Sequence, residues 1–100
     1  MAPSLVRFHP EARAEVLAAR DWYAARNQTA ADRFVAEVEQ AVEAILEAPD
    51  RRPRYLHRTR RYVLPRFPFS IIYRPHGSAV HIFAVAHAKR RPGYWKERRF

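Results

Sequence analysis

Apolar residues recur every three or four positions through the first half of the chain and every second position near its end, so helices come first and strands follow. His9-Pro10-Glu11 reads as a helix start, because proline suits the first helical position and a carboxylate favours the positive end of the helix dipole. That helix runs to about Arg26, with Ala12, Val16, Ala19 and Tyr23 on one face beside Trp22. Asn27-Gln28 breaks it. Thr29 with Asp32 three residues on resembles a capping box, so a second helix is expected to begin near Ala30. Its stripe is Phe34, Val38, Ala41, Val42 and Ile45, and Pro49 ends it. A link this short makes the two helices an antiparallel hairpin.

Leu5-Val6-Arg7-Phe8 ahead of the hairpin reads as a short strand. After it, Asp50 to Arg58 is a loop rich in proline and arginine that enters a strand near Tyr62-Val63-Leu64. Pro65 and Pro68 bracket Arg66-Phe67, which confines pairing there to an edge or an interruption. Phe69 to Arg74 and Ala79 to His87 then form a hairpin around Pro75-His76-Gly77-Ser78. Strict alternation along the last strand sets His81, Phe83, Val85 and His87 against Ile82, Ala84 and Ala86, without deciding which side meets the helices. The expected fold is one α+β domain over residues 1–100, ordered β-α-α-β-β-β. Its mostly antiparallel sheet carries the N-terminal helical hairpin on one face and leaves the other open.

Charge divides the chain. There are 19 basic and 10 acidic residues, a net +9, yet the first fifty positions hold five arginines against nine acids and the last fifty hold fourteen cations against Glu97 alone. The acids Glu37, Glu39, Glu43 and Glu47 fall mostly away from the apolar stripe and read as solvated helix faces, not as catalysts. Lys89, Arg90, Arg91, Lys96, Arg98 and Arg99 have only Glu97 as a local acid, so their repulsion calls for an anionic partner. Arg60 and Arg66 add to that basic surface. Trp95 is also a candidate for binding a partner, but the favoured reading is that this aromatic near the chain end folds back to pack on the sheet.

The absence of cysteine excludes a disulfide framework and a thiolate metal site, and fits a cytoplasmic protein. His76, His81 and His87 lack carboxylate company on their strands, so neither metal nor other cofactor is expected. No stretch reaches the roughly 20 apolar residues of a membrane span, and the N-terminus has no export-type apolar segment.

The order of elements, Trp22-Tyr23, Phe67-Pro68-Phe69 with Ile71-Ile72-Tyr73, and Val85-Ala86-His87 with Arg90-Arg91-Pro92 together resemble the RelE/ParE toxins of type II toxin-antitoxin systems. The resemblance implies a bacterial toxin silenced by a cognate antitoxin, whose acidic segment would meet the basic residues. It also implies two branches: RelE-like toxins cut messenger RNA on the ribosome, and ParE-like toxins poison DNA gyrase. RelE-like members have an arginine where this chain has Ser70, which favours the ParE-like branch. On the ribonuclease alternative, His87 would be the base and Arg61, with Arg60, Arg90 or Arg91, the phosphate clamp. Tyr94, by its family position, would stack on a base or donate a proton. A lone histidine such as His87 at a strand end is more often a hydrogen-bonded structural residue than a catalyst. A basic nucleic-acid-binding domain without toxicity is a third reading, but the chain lacks the glycine-rich or stacking signatures of known RNA modules.

Overall fold

The computed structural model describes residues 5–100, so the reading of Met1–Ser4 as part of a start without an export signal lies outside the described residues. A short strand β1 (Leu5–Phe8) precedes helices α1 (Pro10–Ala24) and α2 (Gln28–Glu47). The chain continues through β2 (Arg54–Tyr55), a single helical turn at Leu56–Arg58, β3 (Thr59–Val63), β4 (Phe69–His76) and β5 (Ala79–His87). One sheet of order β1-β5-β4-β3-β2 results, with β1 parallel to β5 and every other pair antiparallel. This is the α+β architecture expected, with a mixed edge contributed by β1 and one strand more than expected, β2, which with the helical turn occupies the stretch read as a loop.

Local chemistry sets the helix ends. The His9 imidazole accepts the Glu11 amide at 3.1 Å, and Pro10 opens α1. The expected cap at Thr29 is displaced by two residues: Asn27 Oδ1 accepts the Ala30 amide at 3.2 Å, which satisfies an otherwise unpaired amide and starts α2 at Gln28. Both helices lay their stripes on the sheet. Phe34, Val38, Ala41 and Ile45 meet Ile71, Tyr73, Val80, Ile82 and Val85, all at 5% exposure or less. Each large aliphatic or aromatic side chain buried this way contributes about 1.5–3 kcal/mol. Tyr73 keeps its hydroxyl satisfied in this core by donating to the Pro49 carbonyl at 2.8 Å.

Two further expectations fail for identifiable reasons. The β4–β5 register runs Ile72 opposite Ala84 and then Tyr73 opposite Ile82, so Phe83 is an extra residue, a bulge. Alternation therefore reverses along β5: Val80, Ile82 and Val85 join the helix-side core, whereas Phe83 and Ala84 both join a second cluster with Ile72 and Trp95. The outer face is not open either. Residues after β5 turn back across it and bury Trp95 to 1% exposure, with Tyr55, Ala86 and Tyr94 packed beside it. Phe100 stacks on His81 at 4.1 Å between ring centres. Among the described residues no helix is long and apolar enough to cross a membrane.

Candidate functional site

β1 ends at Phe8, four residues into its pairing with β5, and among the described residues no strand covers the far half of the β5 edge. The His9 amide makes the last backbone contact, to the Ile82 carbonyl at 2.9 Å. Beyond it, side chains take the place of a strand. Glu15 Oε1 on α1 accepts the Val85 amide at 2.9 Å, and Arg98 Nη1 donates to the Phe83 carbonyl at 2.9 Å. The same two side chains meet each other, Arg98 Nη2 lying 2.9 Å from Glu15 Oε2. Tyr94 donates its hydroxyl to Glu15 Oε2 at 2.6 Å. Arg90 approaches this carboxylate at 4.0 Å and lies over the Tyr94 ring at 3.7 Å.

The electrostatics follow from burial. Burial, then the hydrogen bond to Glu15 and its negative charge, push the Tyr94 phenol far above its ordinary range. Burial works against the Arg98 charge, but the Glu15 hydrogen bond and charge more than offset it and raise its pKa. Glu15 therefore supplies the acid that the sequence neighbours of the basic tail do not provide, and Arg98 is an internal group, not a free cation. A signal existed in the sequence: Glu15 lies three residues after Ala12 and four before Ala19, inside the buried stripe and not opposite it.

Arg61, His87 and Tyr94, distant in sequence, border one depression of about 120 Å³ on the outer face, together with Ser70, Arg90, Arg91 and Trp95. Arg61 lies over the Tyr55 ring at 4.5 Å. His87 Nδ1 accepts the Lys89 amide at 3.0 Å, and its ring meets the edge of Phe69 at 5.0 Å. Trp95, a candidate for binding a partner by sequence, is a core residue, whereas Lys89, Arg91 and Lys96 are exposed. Arg60 is drawn away, to the Asp50 and Arg52 carbonyls. Arg66 is exposed in the connection between β3 and β4, where its amide donates to Glu37 at 2.9 Å. The depression can hold a small anion against Arg61, Arg90 and Arg91.

A larger groove of about 530 Å³ lies between α1 and the ends of β4 and β5. Ala18, Trp22, Tyr23, Phe69 and Val85 make it mostly apolar, and Lys89 and Arg90 stand at its rim. Trp22 is 54% exposed there, with the Arg26 guanidinium 3.6 Å over its ring. An exposed tryptophan beside an apolar groove is the usual anchor of a protein interface.

A helical hairpin on a five-stranded sheet, with a basic tail folded over the opposite face, is an α+β architecture of the RelE/ParE-like kind. Among solved structures the chain is similar to one titled "Chromosomal ParDE TA system from P. aeruginosa", with a TM-score of 0.73 and 22% identity over 83% of this chain and 94% of that one. No curated protein matches the chain. The family model described as "ParE toxin of type II toxin-antitoxin system, parDE" matches residues 6–92, and the chain belongs to that family.

Proposed function

We propose that this chain arrests bacterial growth by binding DNA gyrase in the cytoplasm, and that a cognate antitoxin silences it by filling the groove between α1 and β5. Residues 1–100 act as one toxin domain, without a cofactor. The observation that carries an interaction mechanism over RNA cleavage is the state of Tyr94. A general acid works best with a pKa near the working pH. The Tyr94 proton is instead held by Glu15, at a pKa raised by burial and by that carboxylate. The groove supports the antitoxin reading, because its apolar floor and cationic rim complement an acidic amphipathic segment.

Message cleavage remains a second reading for one reason: Arg61, His87 and Tyr94 share a depression. The deciding experiment measures DNA supercoiling by gyrase with the purified chain, and maps new 5′ ends of messenger RNA in a translating extract. Loss of supercoiling with intact message is expected. Codon-specific cuts that disappear with His87→Ala would overturn the proposal in favour of a ribonuclease. For the antitoxin, replacing Lys89 and Arg90 by glutamine should weaken the complex and flatten its salt dependence; unchanged binding across a salt series would exclude the groove rim.

A further inference from the structure

The cations after Pro49 are not all alike. Every one from Arg51 to Arg74 is arginine, whereas both lysines of the chain lie in the tail. Arg54, Arg58, Arg60 and Arg74 converge on a cleft of about 380 Å³ at the β2 end of the sheet, with Asp50 as its single acid. Unlike Arg98, Arg60 and Arg74 are held mainly by backbone carbonyls, which fix position without neutralising charge. Arg60 Nη1 donates to the Arg52 carbonyl at 2.6 Å and the Asp50 carbonyl at 3.2 Å, while its approach to the exposed Asp50 carboxylate is longer, at 3.6 Å. Arg74 donates to the His57 carbonyl at 2.7 Å and the Arg58 carbonyl at 3.1 Å.

Two unfavourable arrangements meet in this cleft. Arg54 lies directly opposite Arg60 in the β2–β3 register, where like charges repel. His57 and Arg58 are successive residues with φ of 56° and 62°, a left-handed conformation that side chains disfavour. Arg74 bridges both of their carbonyls and so holds the strained pair in place. The repulsion does not help the fold, and together the two arrangements concentrate planar, fixed donors around one space. Strain and repulsion retained at one place point to a ligand.

We propose that the Arg54, Arg58, Arg60 and Arg74 cleft is a phosphate site that holds the backbone of a nucleic acid. Guanidinium forks match phosphate oxygens two at a time. The cleft is too small for more than one or two phosphates, and Tyr55 borders both it and the depression that holds Arg61, Arg90 and Arg91, so positive charge continues past it, as a chain of phosphates requires and a single free anion does not. Its nearest aromatic, Tyr55, is occupied by Arg61 and lies against Trp95, so no ring is free to stack on a base. Binding is therefore independent of sequence. The proposal holds whether or not gyrase is the toxin's target.

The test is fluorescence anisotropy of a labelled short DNA duplex with the purified chain over a salt series, comparing Arg54→Thr/Arg58→Gly with the parent. Thr suits a strand and Gly suits the positive φ, so the variant should melt no lower than the parent while binding about tenfold more weakly at moderate salt. Its slope of log affinity against log salt should fall by about 2, because each arginine removed leaves one phosphate with its counterion in place. Arg20→Ala, on the far helix and paired with Asp21, should bind as the parent does. Equal affinity and slope in the double variant would overturn the proposal. So would binding of a free nucleoside triphosphate with no binding of the duplex, or displacement of the duplex by polyglutamate but not by unlabelled DNA.

Discussion

Glu15→Ala tests the claim that two side chains replace a strand on the β5 edge. In the folded chain the Glu15 carboxylate accepts from the Val85 amide, the Tyr94 hydroxyl and both terminal nitrogens of Arg98. Its side chain is 16% exposed and that of Arg98 10%, so water replaces little of what the truncation removes. Arg98 is left with the Phe83 carbonyl and a distant Glu11 at 3.9 Å. Removing one partner of a buried ion pair costs about 3–5 kcal/mol, against a total stability of about 5–15 kcal/mol for a domain. At the lower figure, and about 4 °C or more per kcal/mol for a chain of this length, Tm should fall by at least ~12 °C. Urea denaturation gives the free energy, and amide exchange at Val85 should accelerate beyond the change in global stability. Glu15→Ala/Arg98→Ala should cost no more than Glu15→Ala alone, because it leaves no unpaired charge. A loss below about 1 kcal/mol, the worth of an exposed ion pair, would refute the reasoning.

Three further outcomes follow from the same geometry. Burial, with the charges of His76, Arg7 and Arg74, lowers the His81 pKa below its ordinary 6.5. The unfolded chain therefore binds the proton first, and stability falls as pH drops from 6.5 through the lower folded value; His81→Phe should remove part of that loss in urea titrations above and below pH 6.5. The raised Tyr94 pKa acts at the other extreme: stability is full below pH 10 and declines above it as the unfolded phenol ionises, so Tyr94→Phe should soften the alkaline decline, leaving the part due to Tyr73 and Tyr23. Gly93 (φ 81°) and Gly77 (φ 60°) both occupy left-handed backbone, where alanine costs about 1–2 kcal/mol. Gly93→Ala should cost more by thermal melting, because its Cβ would sit 3.2 Å from His57 Nε2, whose ring is held against Trp95, whereas Gly77 faces open space.

The amino-acid order by itself determined the two helices, the β4–β5 hairpin, the charge division and the family resemblance. These depend on short-range periodicity, turn chemistry and composition, which neighbouring residues carry. Tertiary structure decided the rest. The bulge at Phe83 depends on how β5 is matched to β4 across the sheet, and it alone settles which residues of β5 face the helices. Trp95 could be read as a partner-binding residue or as a cover, and only the path of the tail over the outer face buries it. The Glu15–Arg98 pair joins residues 83 positions apart. Arg61, His87 and Tyr94 likewise become neighbours only when the sheet and the returning tail close around one depression. An acid looks unpaired in a sequence until the fold supplies its cation. The partners of charged groups are set by distances in space, which local pattern does not encode.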